Sequence, residues 1–226
     1  MEFGGPLRPE RLVHDLGVQL ENGVDQHFRA RRATRLGAIV FEETPLPRPS
    51  GAAVTQALVE GVRELGLDHL AFSKEAVQLR ERIGFLHRTI GDPWPDVSDD
   101  ALLSRLDDWF GPFQTEARGL SEISAAGLSN GLMSLVPHEL QRDLSRLAPT
   151  HFEAPTGQRH PIQYEGEEPV LTIRVQELFG LKQHPAIAGG RLPLLLELTS
   201  PAHRPIQTTR DLPGFWAGSW KDVRAD

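Results

Sequence analysis

No cysteine occurs anywhere in this sequence of 226 residues. Its absence excludes disulfides, a thiol nucleophile and any cysteine-ligated zinc or iron–sulfur site. Lysine is nearly absent too: Lys74, Lys182 and Lys221 stand against 21 arginines. A phosphate-binding loop ends in Gly-Lys-Ser/Thr, and none of these lysines follows a glycine, so that route to a nucleotide is closed. No Gly-x-Gly-x-x-Gly follows a strand pattern either, and no cofactor is expected. Long apolar runs are missing. The run Leu192 to Leu196 is broken by Pro193, and nothing approaches the ~18 residues of a membrane helix. The segment from Met1 to Arg11 has no apolar core behind a basic start, so the expectation is a cytoplasmic protein without a secretory leader.

What remains is ordinary for a globular chain: 39% hydrophobic, 24% charged and a net charge of -7. An acidic balance, with a pI near 5.7, excludes a chain-wide electrostatic attraction for nucleic acid. Three zones follow one another. Residues 1–50 read as β-rich. Val18–Glu21 and His27–Arg31 flank the turn signal Asn22-Gly23, and Leu36–Phe41 offers a third strand. Pro45, Pro47 and Pro49 then read as a stiff linker outside any ladder. Residues 51–148 read as helical. Val54, Leu58, Val62 and Leu65 share a helical face, and Ser73 and Ser98 precede periodic apolar runs as N-caps do. A weaker helix over 121–135 is interrupted by Gly127 and Gly131. Residues 149–226 return to strands at His151–Glu153, Pro161–Tyr164, Val170–Val175 and Leu194–Thr199. Gln176–Gly180 reads as a helical turn, Gly157, Gly189, Gly190 and Gly214 as tight turns, and Pro201 and Pro205 as brackets of a rigid loop. A last helix begins at Asp211. Trp216 is expected to pack back onto the strand holding Leu194, Leu196 and Leu198.

Three constellations resemble catalytic motifs. Gly127-Leu128-Ser129-Asn130-Gly131 matches the Gly-x-Ser-x-Gly elbow of serine hydrolases, but that elbow needs a preceding strand, and the pattern before it is helical. His138-Glu139 opens a His-Glu-x-x-His motif, yet Arg142 occupies the second histidine position, so no zinc site forms there. His151 and His160 flank the Gly157 turn and could face one another; two ordinary surface histidines are the simpler reading, and no metal is expected. Paired acids such as Asp99-Asp100, Asp107-Asp108 and Glu167-Glu168 are sequence neighbours that diverge on a helix.

The densest basic feature runs from Arg29 to Arg35. In a strand, Arg29, Arg31 and Arg35 share one face with Ala33, and Arg32 sits at the edge. Such a ribbon could follow a phosphate backbone. Alternatively it is a solvated hairpin face whose arginines pair with Glu21, Glu42 or Glu43.

The last third carries a long ordered string. It runs Leu147-Ala148-Pro149-Thr150, Ala154-Pro155-Thr156-Gly157, Tyr164, Gln176-Glu177-Leu178-Phe179-Gly180-Leu181 and Gly189-Gly190-Arg191-Leu192-Pro193. It continues through Ser200-Pro201, Arg204-Pro205-Ile206-Gln207, Asp211-Leu212, Gly214-Phe215-Trp216 and Trp220 to Val223-Arg224. This string closely resembles the C-terminal domain of the HrpB-type DEAH-box ATP-dependent helicases. Further upstream, Arg29–Leu36 leading into Gly37-Ala38-Ile39-Val40, then Trp94-Pro95-Asp96 and Asp107–Phe113, follow the family's order more loosely.

The resemblance implies an α+β fold. Residues 1–50 would be a β-rich remnant of an oligonucleotide-binding-like domain, 51–148 a helical region, and 149–226 an antiparallel β-rich domain ending in a helix. It implies a non-catalytic auxiliary region, with helicase motor domains as partner on the same chain or from a split gene. RNA or DNA backbone would be a weak, non-specific partner, and no membrane is involved. No residue matches a motor motif, so no ATPase activity is expected of this chain. Arg29, Arg31, Arg32 and Arg35 are the candidate nucleic-acid contacts. Gln176, Glu177, Arg204, Gln207, Asp211 and Trp216 are candidates for an interface, or for a buried structural network. Two alternatives stay open: a protein-interaction module without nucleic acid, which the acidic charge favours, and a hydrolase using Ser129.

Overall fold

A computed structural model describes residues 13–20, 28–36 and 39–45 as backbone strands, and residues 51–218 and 220 in full. The chain mixes helix and sheet, as an α+β protein does. The first sheet has the order β1 (Val13–Leu20), β2 (Phe28–Leu36), β3 (Ile39–Pro45), antiparallel throughout. The turn expected at Asn22-Gly23 lies outside the described residues. Pro45 is not in a linker: it pairs with Arg31 as the last residue of β3. That strand is an edge of the sheet, where proline's missing N–H is tolerated.

Contacts divide the chain into two compact units, residues 1–71 with 103–131, and residues 72–102 with 132–226. The helical stretch 51–148 contributes to both.

In the first unit, α1 (Ala52–Leu65) buries Val54, Leu58, Val59 and Val62. Leu65, expected on the same face, is exposed at the helix end. Helix α3 (Asp99–Ser104), whose residues 99–102 belong to the second unit and 103–104 to the first, starts at the Ser98 cap, whose hydroxyl accepts the Ala101 N–H at 3.4 Å. The short helix α4 (Leu106–Trp109) buries Leu106 and Trp109. Helix α5 (Ala125–Ser134) then passes the 109–113 segment at backbone contact. A Cβ on Gly127 would sit 2.4 Å from the Phe113 carbonyl, and one on Gly131 2.0 Å from that of Trp109. Only glycine permits that approach. Buried Gln114 fixes the entry to α5, accepting from the Ser124 N–H at 2.8 Å and donating to the Ser124 carbonyl at 3.2 Å.

In the second unit, α2 (Lys74–Ile90) starts on the Ser73 cap, whose hydroxyl accepts the Ala76 N–H at 3.2 Å. It packs against α6 (His138–Leu147). Arg82 of α2 is buried, and its guanidinium donates to the Ala148 carbonyl at 2.6 Å and the Leu144 carbonyl at 3.4 Å. A cation on the last carbonyls of α6 meets both their hydrogen-bonding need and the negative end of the helix dipole.

The hairpin β4 (His151–Glu153) and β5 (Arg159–Pro161) precedes the sheet β10-β9-β6, formed by β6 (Val170–Arg174), β9 (Leu195–Thr199) and β10 (Pro205–Thr209). The expectation of an antiparallel domain over 149–226 is corrected here: β6 and β9 run parallel. Parallel neighbours need a crossover of a dozen or more residues. Residues 175–194 supply it, through a 3-10 turn at Val175–Leu178 and the small hairpin β7 (Ala186–Ile187) and β8 (Leu192–Pro193). Pro205, read as a loop bracket, opens β10 opposite Thr199. Leu171, Ile173, Leu196 and Leu198 are buried, while Thr172 and Glu197 on the other face stay exposed. Helix α7 (Leu212–Ala217) closes the described fold. Among the described residues no helix is long and apolar enough to cross a membrane.

Candidate functional site

The elbow-like sequence around Ser129 is helical, lying within α5, and Ser129 Oγ donates to the Ala125 carbonyl one turn back at 3.3 Å. Gly127 and Gly131 serve close packing, not an exposed nucleophile turn, and the hydrolase alternative loses its geometric basis. His151 and His160 do not meet. His151 Nδ1 bonds Thr150 Oγ1 at 2.9 Å, whereas His160 Nε2 pairs with Glu177 Oε2. Among the described residues no group of three or more His, Asp or Glu could hold a metal.

Glu177 is the best-anchored polar candidate. Only 5% exposed, it receives the His160 ring on one oxygen and Arg174 Nε at 2.7 Å on the other. Burial pushes its carboxyl upward, but the bonds from Arg174 and His160 outweigh that and hold it below the usual carboxylate range. The other polar candidates do not join it in one network. The Gln176 Oε1 atom is buried without a hydrogen-bond partner. Arg204 is exposed in a turn, where its N–H bonds Ser200 Oγ at 3.1 Å. Gln207 lies in β10 opposite Leu198. Asp211 caps α7, accepting the Gly214 N–H at 2.9 Å. Gly214 is therefore a cap contact within α7 and not a tight turn: a Cβ there would lie 2.2 Å from an Asp211 carboxyl oxygen.

Trp216 is not the core residue of α7. Leu212 and Phe215, three apart, face inward, and Phe215 is 2% exposed. A further residue turns the side chain by about 100°, so Trp216 is half-buried, donating Nε1–H to the Leu181 carbonyl at 3.2 Å. There it meets Phe179 and Trp220. Ring centroids are 5.7 Å apart for Phe179–Trp216, 5.5 Å for Phe179–Trp220 and 5.7 Å for the edge-on tryptophan pair. Phe179 remains 47% exposed.

Two polar anchors hold this aromatic patch. The Glu177 cluster fixes the turn that leads into Phe179. His184 fixes α7: its Nδ1 accepts the Leu212 N–H at 3.1 Å, so its Nε2 carries the proton and donates to the Leu194 carbonyl at 2.7 Å. Sequence reasoning singled out neither Phe179 nor the roles of His160, Arg174 and His184. Arg174 and Glu177 stand three apart, an ion-pair spacing that could have been read locally, whereas no spacing rule links His160 with Glu177 or His184 with Leu212.

For the arginine strand, β2 pairs with β1 without interruption, so Arg29, Arg31, Ala33 and Arg35 share a face. Asp15 and Glu43 lie opposite Ala33 on either side, on that same face, while Glu42 lies opposite Thr34 on the face of Arg32. The exposure and ion pairing of Arg29, Arg31, Arg32 and Arg35 lie outside the described residues.

A family model described as "ATP-dependent helicase C-terminal", HrpB_C, matches residues 109–226. The chain is 38% identical over 201 residues to the ATP-dependent RNA helicase HrpB of Escherichia coli strain K12. That match covers 88% of this chain and 25% of the relative, so the chain spans about a quarter of its length. A crystal structure of the E. coli DExH-box NTPase HrpB aligns with a TM-score of 0.77 at 35% identity, over 96% of this chain and 27% of that one. A second, of the Escherichia coli DEAH/RHA helicase HrpB, aligns with a TM-score of 0.74 at 33% identity, over 96% and 28%.

Proposed function

Since this chain belongs to the family of HrpB-type ATP-dependent helicase C-terminal regions, we propose that it acts as a non-catalytic auxiliary region of such a helicase, docking onto the motor-bearing part and contacting RNA or DNA. The docking role rests on the patch of Phe179, Trp216 and Trp220. Phe179 is exposed and both tryptophans are half-buried beside it; an exposed apolar patch on a folded unit marks an interaction surface, and tryptophan is among the residues that dominate its energetics. The patch is presented on two polar anchors, the Glu177 cluster and the Asp211 and His184 contacts at α7. A surface set this firmly suits a partner of fixed shape. The parent relative is about four times longer than the matched segment, and the motor-bearing remainder is the partner proposed here.

The test is docking of the separately purified motor-bearing segment of the same helicase, measured by calorimetry. Phe179→Ser with Trp220→Ala should weaken it at least tenfold, since a hot-spot side chain contributes ~2 kcal/mol or more. The variant's melting temperature should stay within a few degrees. Unchanged docking would remove the patch from the interface.

The nucleic-acid contact rests on β2, where Arg29, Arg31 and Arg35 share a face and Arg32 lies on the other. It would position a backbone without reading sequence. Asp15 and Glu43 on the same face limit its strength.

A further inference from the structure

A second surface of the unit formed by residues 72–102 and 132–226 carries a different chemistry. A groove of about 350 Å³ runs along α2, its lining including the apolar Val77 and Val97, the acids Glu81 and Glu165, and the cations Arg80 and Arg88. Val77, in the first turn of α2, is 42% exposed there.

The charges around the groove are unequally committed. Arg80 donates to the Val97 carbonyl at 2.8 Å and pairs with Asp99. Arg88 donates to the Gly166 carbonyl at 3.1 Å, and His87 Nδ1 to the Trp94 carbonyl at 2.8 Å. Asp96 accepts the Ser98 N–H at 2.8 Å. Among the described residues neither Glu81 nor Glu165 has a salt-bridge partner, and burial first, then the Glu165 charge, raises the Glu81 carboxyl above its usual range. Arg88 keeps its charge on a neutral carbonyl, so Glu81, Asp96 and Glu165 outnumber Arg80 and Arg88 by one, and the groove carries a net negative charge beside exposed apolar wall.

We propose that this groove is a docking site for a protein segment that inserts an arginine between Glu81 and Glu165 and lays the side chain's methylenes and an adjacent aliphatic residue along Val77 and Val97. Charge complementarity selects the occupant. A cation relieves the repulsion between the two carboxylates, whereas a phosphate backbone would add to it. Arginine fits better than lysine because its guanidinium is weakly hydrated, forks onto carboxylates and carries an apolar stem. The groove shares no residue with the aromatic patch, so the two proposals fail or stand separately.

The test uses the full chain and three probes: acetyl-Leu-Arg-Leu-amide, its glutamine counterpart acetyl-Leu-Gln-Leu-amide, and a single-stranded RNA decamer. Amide NMR follows Val77, Gly84 and Glu165, with the aromatic patch as control. The arginine peptide should shift the groove resonances saturably and bind about tenfold more tightly than the glutamine peptide, the worth of a charged hydrogen bond. Glu81→Gln with Glu165→Gln should abolish that preference. Equal binding of the two peptides, no shift at 5 mM peptide, or an unchanged preference in the double variant would each overturn the proposal. So would RNA shifting the groove resonances. The peptide comparison on the unaltered chain decides the matter even if the double variant folds poorly.

Discussion

The two units hold their helices in opposite ways. In residues 51–71 and 103–131 the close contacts are made by omission: Gly127 and Gly131 remove side chains so that α5 can lie on the Phe113 and Trp109 carbonyls. The buried polar link described there is neutral, Gln114 on Ser124. In residues 72–102 and 132–218 the same task falls to ionisable groups. Arg82 caps α6, Glu177 gathers His160 and Arg174, and His184 ties α7 to Leu194 between β8 and β9. Backbone-to-backbone packing tolerates no added atom and does not respond to pH. Buried charged contacts tolerate conservative change in volume but respond to any change in ionisation. The first unit should therefore fail sterically and the second electrostatically.

The largest effect should come from Gly131→Ala. Its Cβ would stand 2.0 Å from the Trp109 carbonyl oxygen, a backbone atom that cannot swing away. Overpacking of this kind costs about 3 kcal/mol or more, and urea titrations at pH 5 and pH 8 should give the same loss. A loss that changed with pH would break the contrast between the units.

Arg82→Met comes next. It keeps the stem's packing but takes the Arg82 donor from the Ala148 carbonyl, while the Leu144 carbonyl keeps the Ala148 N–H at 2.9 Å. Orphaning that one buried acceptor costs about 2 kcal/mol. Chemical denaturation should register that fall, with the α6 amides losing hydrogen-exchange protection before those of α1. If α1 loses protection first, Arg82 is not the local cap described here.

A smaller, pH-dependent effect is expected of Glu177→Gln. The folded carboxyl titrates below its usual value, near 4.3 when unfolded, because Arg174 and His160 hold it ionised against burial. A depressed carboxyl contributes stability above its unfolded value, and that contribution is lost as pH falls through the lower folded one. The variant should therefore be about 1–2 kcal/mol less stable than the parent near neutrality, and the gap should narrow below about pH 4. A constant gap from pH 3 to pH 8 would assign Glu177 to shape alone.

Much of this architecture is legible without coordinates, and the division follows distance along the chain. Ser73 and Ser98 announce their helices because a cap acts within three residues. The strands at 151, 170 and 195 show in their alternation, as do the helical faces of α1 and α2. The parallel pairing of β6 with β9 does not show, because it is set by a crossover of 20 residues with little regular structure. His160 meets Glu177 and His184 meets Leu212 only once that crossover is folded. Phe215 and Trp216 illustrate the finer limit: both are large, aromatic and adjacent, and only the phase of a six-residue helix decides which is buried. The Gly-x-Ser-x-Gly match shows a converse error, in which two glycines required by packing imitate a catalytic motif.

The smallest effect on stability, and the sharpest test of the proposed nucleic-acid contact, concerns β2. The described interior of the first unit relies on no buried charge, yet Arg29, Arg31, Arg32 and Arg35 crowd into this strand. If they serve the fold, they should pair with Asp15 and Glu43 on one face and Glu42 on the other, the carboxylates that the register sets nearby. If they serve nucleic acid, they should act through released counterions. The two roles separate cleanly in salt. Each phosphate contact on a single strand contributes roughly 0.7 to the slope of log affinity against log salt. Converting Arg29, Arg31 and Arg35 together to glutamine should lower that slope by about 2 for single-stranded RNA. The melting temperature should barely move, because exposed ion pairs contribute little. Arg32→Gln alone, on the opposite face, should leave the slope nearly unchanged if the ribbon is one-sided. A triple variant that keeps the parent's slope but melts several degrees lower would show the arginines to be bound into the sheet by their acidic neighbours. The first unit would then hold its strands by charge and its helices by glycine, and the contrast with the second unit would apply to the helices alone.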